Sequence, residues 1–295
     1  MRKIFLSILT LIIFSASQAV SQDLENAVLW EVSGNGLEKP SYIYGIINFL
    51  PKDAYEVPKV VKKKMDQCEV FATKIIYDNA AKKQFNKAVR IPNNGWINDY
   101  LTDNELNQLR LLLLLDFEVK EHQYHDFYSR LQPIILVTST TALYLDDNII
   151  YVEEELASLA KKNRMDFVGL GTIDEEIAAF KKFPIEDQVE AAKYTVNQFD
   201  RHIEDYNNLV KYYVEEQDLV KVKDETLKAT NESQEFKRVY YDDRVIHWLP
   251  KIEGLIKVNP TFFAVGAPYL VGEVSMIELL RKQGYKVEPV SLKKN

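Results

Sequence analysis

Short strand-forming runs stand near both ends of this chain, and long helical stretches fill the middle. Residues 27–33 (AVLWEVS) and 41–47 (SYIYGII), joined by the turn-rich GNGLEKP, predict a hairpin. PKVVKKKMDQ follows as a helix with Pro58 at its first position, and CEVFATKII (68–76) as the next strand. From about residue 79 the pattern is helical. TDNELNQLRLLLLLDF opens with Thr102 and Glu105 at capping-box spacing, and further helices are predicted over 121–143, 151–163 and 185–217. MDFVGLG (165–171) interrupts them as a buried strand ending in glycine, and TIDEEIAAF opens a helix on a second capping box, Thr172 with Glu175. The C-terminal end repeats that plan: NPTFFAVG (259–266) as a strand, LVGEVSMIELLRKQG as a helix stopped by Gly284, and YKVEPVSL as a last strand. The fold class is therefore α/β, with βα units at both ends bracketing a mostly helical middle at about 79–163.

The first segment, MRKIFLSILTLIIFSASQAVSQ, sets Arg2 and Lys3 before an apolar run from Ile4 to Phe14 and then small residues, the order of a secretory signal peptide over residues 1–21. That run is well short of the about 20 apolar residues that span a bilayer, and Leu111 to Leu115 is shorter still, so no transmembrane segment is expected after cleavage. An exported protein, periplasmic or extracellular, is the expectation. Its only cysteine, Cys68, cannot close an internal disulfide, so residues 22–295 must be held together by their core. No Pro/Ser/Gly-rich linker divides them, which predicts one domain, and a chain this long buries roughly three quarters of its unfolded surface. The 44 acidic residues exceed the 37 basic ones, two of which are Arg2 and Lys3, and nucleic acid is not an expected partner.

Two glycine-bearing turns carry the first functional suggestion. In SYIYGIINFLP, Gly45 is followed three residues on by Asn48, and in FFAVGAPYLVGE, Gly266 is followed by Tyr269. A glycine at a strand end lets the backbone turn and deliver a side chain to the crevice where α/β sheets bind ligands. The plainer reading is a pair of strand exits. His122 and His125, at i and i+3 in KEHQYHDFY, have a spacing that can share a metal, although a surface pair is the commoner meaning. His202 and His247 are single histidines on helical patterns, for which packing is the expected role. Ser41 and Ser275 have no motif-defined histidine partner, there is no Gly-x-Ser-x-Gly, phosphate loop or dinucleotide fingerprint, and Cys68 reads as a small buried residue.

SGNGLEKPSYIYGIINFLP, GLGTIDEEIAAFKKFPIEDQ, DDRVIHWLPKIEGL and TFFAVGAPYLVGEVSMIELLRKQGYKVEPV occur in an order and spacing that resemble the TraB/GumN family, related to the Tiki metal-dependent proteases. The resemblance runs from about Ala27 to Val290. It implies a central mixed sheet flanked by helices, and a divalent-metal site made of two Gly-x-x-His turns, acidic residues at strand ends and an arginine. Mapped onto this chain, the first histidine is Asn48 and the second is Tyr269. The glutamate of the first inner strand falls on Thr73, and the glutamate of Gly-Leu-Glu-Thr on Gly171, while Arg244 alone keeps the family's residue type.

A divalent ion is held by carboxylates or neutral imidazoles, and these positions offer an amide carbonyl, a hydroxyl, no side chain and a phenol with an ordinary pKa of about 10. The expectation is a member that has lost its metal-dependent hydrolase site, has no cofactor, and binds a peptide or small molecule without catalysis. Its cleft would be formed by Tyr44, Gly45, Asn48, Thr73, Gly171, Arg244, Gly266 and Tyr269, with Arg244 anchoring a carboxylate. The alternative is a divergent metal-dependent protease or hydrolase using manganese or cobalt, its ligands rebuilt from Glu153 or Glu155 in YVEEELASL. The plainer meaning of those glutamates is electrostatic support of a helix start, and a solvated first-turn position is the plainer meaning of Glu273. Three carboxylates converging near Asn48 and Tyr269 would favour the enzyme.

Overall fold

The computed structural model describes residues 26–228 and 233–292, so the export segment expected over residues 1–21 lies outside the described residues. Among the described residues, eight strands form two sheets: β1 (Leu29–Ser33), β2 (Ser41–Ile46), β3 (Phe49–Pro51), β4 (Val70–Thr73), β5 (Ile149–Tyr151), β6 (Asp166–Gly169), β7 (Thr261–Gly266) and β8 (Lys286–Pro289). The main sheet has the order β6-β4-β7-β2-β1-β8, and β3 with β5 makes a separate two-stranded ribbon. β6, β4, β7 and β2 run parallel, while β1 joins antiparallel to β2 and β8 antiparallel to β1.

The residue pattern explains this arrangement. β2, β4 and β7 are continuous apolar or small runs whose residues are buried almost throughout, which suits parallel strands covered on both faces. Edge strand β6 is only half-buried. Phe71 lies 6.4 Å from Phe262 on the neighbouring strand with rings nearly parallel, and Trp30, Tyr42 and Phe263 are shut inside the same core. A second buried cluster, containing Ile97, Leu109, Leu113 and Leu131, belongs to the helical region that follows β4.

The expected α/β class holds, and helices continue well beyond residue 163. Both capping boxes form, Thr102 with Glu105 and Thr172 with Glu175. Other boundaries depart from expectation for local reasons. The helix expected over 121–143 divides into Glu121–Asp126 and Pro133–Leu145, because Pro133 lacks an N–H and sits in a first turn, where none is needed. The stretch 185–217 breaks at Gln198 into Ile185–Asn197 and Phe199–Lys211. The last helix begins only at Met276, where the Ser275 hydroxyl accepts from Glu278 N–H, so residues 271–275 remain outside it. The β3–β5 ribbon has only three residues per strand, too few for a sequence pattern.

Candidate functional site

Parallel packing brings the carboxyl ends of β6, β4, β7 and β2 to one edge. Gly45 is level with Val265 and Ile46 with Gly266, so the two glycine turns from opposite ends of the chain are neighbours. Thr73 is level with Ala264 on one side and Gly169 on the other. A cavity of about 810 Å³ opens there, and Asn48, Lys74, Glu153, Gly266 and Tyr269 lie in its wall. Ile46, Phe49 and Val265 give it an apolar floor, while Val137, Thr141 and His202 face it from the helical side.

Neither glycine serves as a left-handed turn, because neither is among the positive-φ residues. Gly45 is needed for close approach: a Cβ there would come within 2.7 Å of Leu270 Cδ1 and 3.4 Å of Ala267 Cα. The Gly45 carbonyl accepts from Tyr213 at 2.9 Å, and Tyr44 and Tyr55 share a 2.9 Å hydroxyl contact in the same buried region. Tyr44 is therefore closed into the core and its hydroxyl is already partnered.

A charged cluster stands behind the cavity wall. Lys74 Nζ lies 2.7 Å from Glu176 Oε1, the Tyr240 hydroxyl donates to the same oxygen at 2.7 Å, and Arg244 Nη1 forms an ion pair with Glu176 Oε2 at 2.6 Å. Arg244 also donates to the Tyr269 hydroxyl at 3.0 Å, and its guanidinium lies 4.9 Å from the Trp248 ring centre and 5.2 Å from that of Tyr240. Burial pushes Glu176 toward its neutral form, but Lys74 and Arg244 outweigh it, and the carboxyl is held below the usual carboxylate range. Burial works against the charge on Lys74 as well, yet Glu176 raises its pKa above the ordinary lysine value. Burial raises Tyr269 far above the ordinary phenol value, so a neutral hydroxyl receives the arginine N–H.

The remaining sequence-derived residues divide between the wall and the interior. Asn48 is exposed on the cavity wall, and its main-chain carbonyl accepts from Val152 N–H at 3.2 Å. Thr73 is buried and donates its hydroxyl to Ile75 O at 2.8 Å, whereas the next residue, Lys74, reaches the cavity. Gly171 is packed so closely that an added Cβ would be 3.0 Å from Glu175 Oε2 and 3.2 Å from Trp248 Nε1. Arg244 is buried behind Tyr240 and Tyr269 and is not in the cavity lining. Glu153 lies on the wall, where burial raises its pKa and nearby Lys74 works against the rise. Glu155 is exposed and is not in the lining, and Glu273 is likewise exposed.

The four histidines fall on three helices, His122 and His125 on Glu121–Asp126, His202 on Phe199–Lys211 and His247 on Asp243–Val258. His125 lies 3.5 Å from Glu121 on an exposed helix, and His247 lies 3.3 Å from Glu175 on another. His202, expected only to pack, lines the cavity and shares hydrogen bonds with Thr141 at 2.7 Å and Thr195 at 3.4 Å. Burial lowers its pKa against the pull of Asp205.

Lys74, Glu176, Tyr240 and Tyr241 were missed as site residues. Only Glu176 had a detectable signal. In IDEEIAAF it falls with Ile173, Ile177 and Phe180 on the apolar stripe of the helix, where an acid needs a partner.

A model of the TraB/PrgY/gumN family matches residues 28–289. The chain belongs to this family. Neither a curated protein nor a solved structure matches it.

For a TraB/PrgY/gumN member the question is whether the strand-end residues suit the divalent ion that the family resemblance implies. They do not. Thr73 Oγ1 is committed to a backbone carbonyl, Tyr269 holds an arginine, Gly171 has no side chain, and the ammonium of Lys74 stands among them. Among the described residues, no group of three or more His, Cys, Asp or Glu side chains is placed to hold a metal ion.

Proposed function

We propose that this protein is an exported member of the TraB/PrgY/gumN family that has lost the metal-dependent hydrolase site and retains its cavity as a non-catalytic binding site for a peptide or small molecule. The observation that carries the reading is the Lys74–Glu176 pair at 2.7 Å, at the strand end where the family's chemistry calls for acidic metal ligands. A fixed ammonium repels a divalent cation and competes for the carboxylate best placed to bind it. The pair does electrostatically what an ion would do, holding a buried carboxylate in its charged form, but it supplies no Lewis acid to activate water.

The alternative, a hydrolase with rebuilt ligands, needs several carboxylates in the cavity near Asn48 and Tyr269. Glu153, Asp187, Glu190, Asp205 and Glu225 are in the lining, but among the described residues no three such groups are placed to hold a metal ion; Glu155 is outside the lining and Glu176 is bound to two cations. Calorimetric titration with manganese, cobalt and zinc separates the readings. The expected result is no stoichiometric binding by the purified protein. Sub-micromolar, one-to-one binding that disappears in Glu153→Gln would overturn the proposal and make peptide hydrolysis the next assay.

A further inference from the structure

We infer that the cavity receives a ligand with a single carboxylate head on an apolar body, its head seated on the Lys74 ammonium. The inference rests on reading the cavity as a binding site and adds the chemistry of what is bound. Its first support is position. The Lys74 side chain is only 21% exposed, and Glu176 and Tyr240 engage it from behind, at 2.7 Å and 3.5 Å from Nζ. An ammonium has three N–H donors, so one remains for the cavity that Lys74 lines.

The second support is charge. Lys74 and Arg244 contribute two cations to the cluster, and Glu176 balances one of them. Arg244 is 7% exposed, and its Nε and Nη2 atoms have no hydrogen-bond acceptor among the described residues. A monoanion against Lys74 would add a carboxylate to a cluster in which two cations share Glu176. A phosphate dianion would bring a second negative charge into a lining that already holds Glu153, Asp187, Glu190, Asp205 and Glu225.

The third support is the lining. Ile46, Ile47, Phe49, Val137 and Val265 give hydrocarbon surface to the cavity that Lys74 lines. One further group suits the head itself: the Tyr241 hydroxyl, in the wall, has no hydrogen-bond partner among the described residues.

The head group is tested by calorimetry on the full chain with decanoate, decanol and decylamine. A charge-assisted hydrogen bond predicts roughly tenfold or tighter binding of decanoate over decanol, and no binding of decylamine. An apolar hexapeptide compared with its C-terminal amide tells a polypeptide source of the carboxylate from a lipid-derived one. Either pair supports the inference if the carboxylate form is preferred. The preference should vanish in Lys74→Met and persist in Lys74→Arg, with circular dichroism confirming that each is folded. If Lys74→Met does not fold, the wild-type series and Lys74→Arg decide. Equal binding of acid and neutral forms, no binding of any carboxylate, or a preference that survives Lys74→Met would overturn it. Manganese titration of the same preparation keeps the two claims apart: absence of both metal and carboxylate binding removes only this inference, whereas stoichiometric metal binding removes the reading beneath it.

Discussion

Lys74 and Glu176 are 102 residues apart in sequence and 2.7 Å apart in space, joining the end of β4 to the helix Ile173–Phe180 behind the cavity. Glu176 is 2% exposed, so its charge depends on the cations that meet it.

Lys74→Met should therefore destabilise the protein by about 2–3 kcal/mol, below the upper range for a broken buried pair because Arg244 still holds the carboxylate. Urea unfolding of Lys74→Met, Glu176→Gln and the double variant should show a non-additive cycle. Simple additivity would mean that the pair is not coupled.

The two cavity-side glutamates should give opposite pH responses. Glu176 titrates lower when folded, so its stabilisation is present above the unfolded pKa of about 4.3 and disappears as pH falls through the folded value. Glu153 titrates higher when folded, so it costs stability progressively as pH rises from about 4.3 through its folded pKa. Urea midpoints measured across the acid range should show Glu153→Gln more stable than wild type at neutral pH, with the gain lost below about pH 4. Glu176→Gln should be less stable at neutral pH, with that deficit shrinking in acid.

Gly45→Ala should cost about 1–3 kcal/mol, the usual range for forcing a methyl into a packed core. The added Cβ meets Leu270 Cδ1 at 2.7 Å, so Leu270→Val in the same background should recover part of the loss. Failure of that rescue in thermal unfolding would place the obstruction at the Ala267 backbone instead.

Thr172→Ala should cost about 1 kcal/mol by removing the hydroxyl that accepts from Glu175 N–H at the start of the helix that carries Glu176. Thr172→Ser, which keeps the acceptor, should stay near wild type in the same urea measurement.

Much of the frame could be read from local pattern. The strands at both chain ends are apolar runs with clear turn signals, and the two capping boxes mark helix starts through hydrogen bonds made within four residues. Gly45 was legible as special but not as to why, since its contact with Leu270 is created only when β7 lies beside β2. The charged cluster was less visible. A lysine after a four-residue strand is ordinary on a surface, and Glu176 on the apolar stripe of its helix signalled a need for a partner without naming Lys74. Arg244 was recognised through a resemblance. Its contacts with Tyr240 and Trp248 follow from i,i+4 spacing on one helical run, whereas its contact with Tyr269 depends on packing between elements.

The placement of β7 between β4 and β2 also sets an order of events. The strand that fills the middle of the sheet follows β1, β2, β4 and β6 in the sequence. Without it, β4 with β6 and β1 with β2 form two separate fragments, each with an open inner edge. Long-range pairing of this kind is slow, and open strand edges invite pairing with other chains. The cavity wall is therefore complete only once β7 has joined the two fragments.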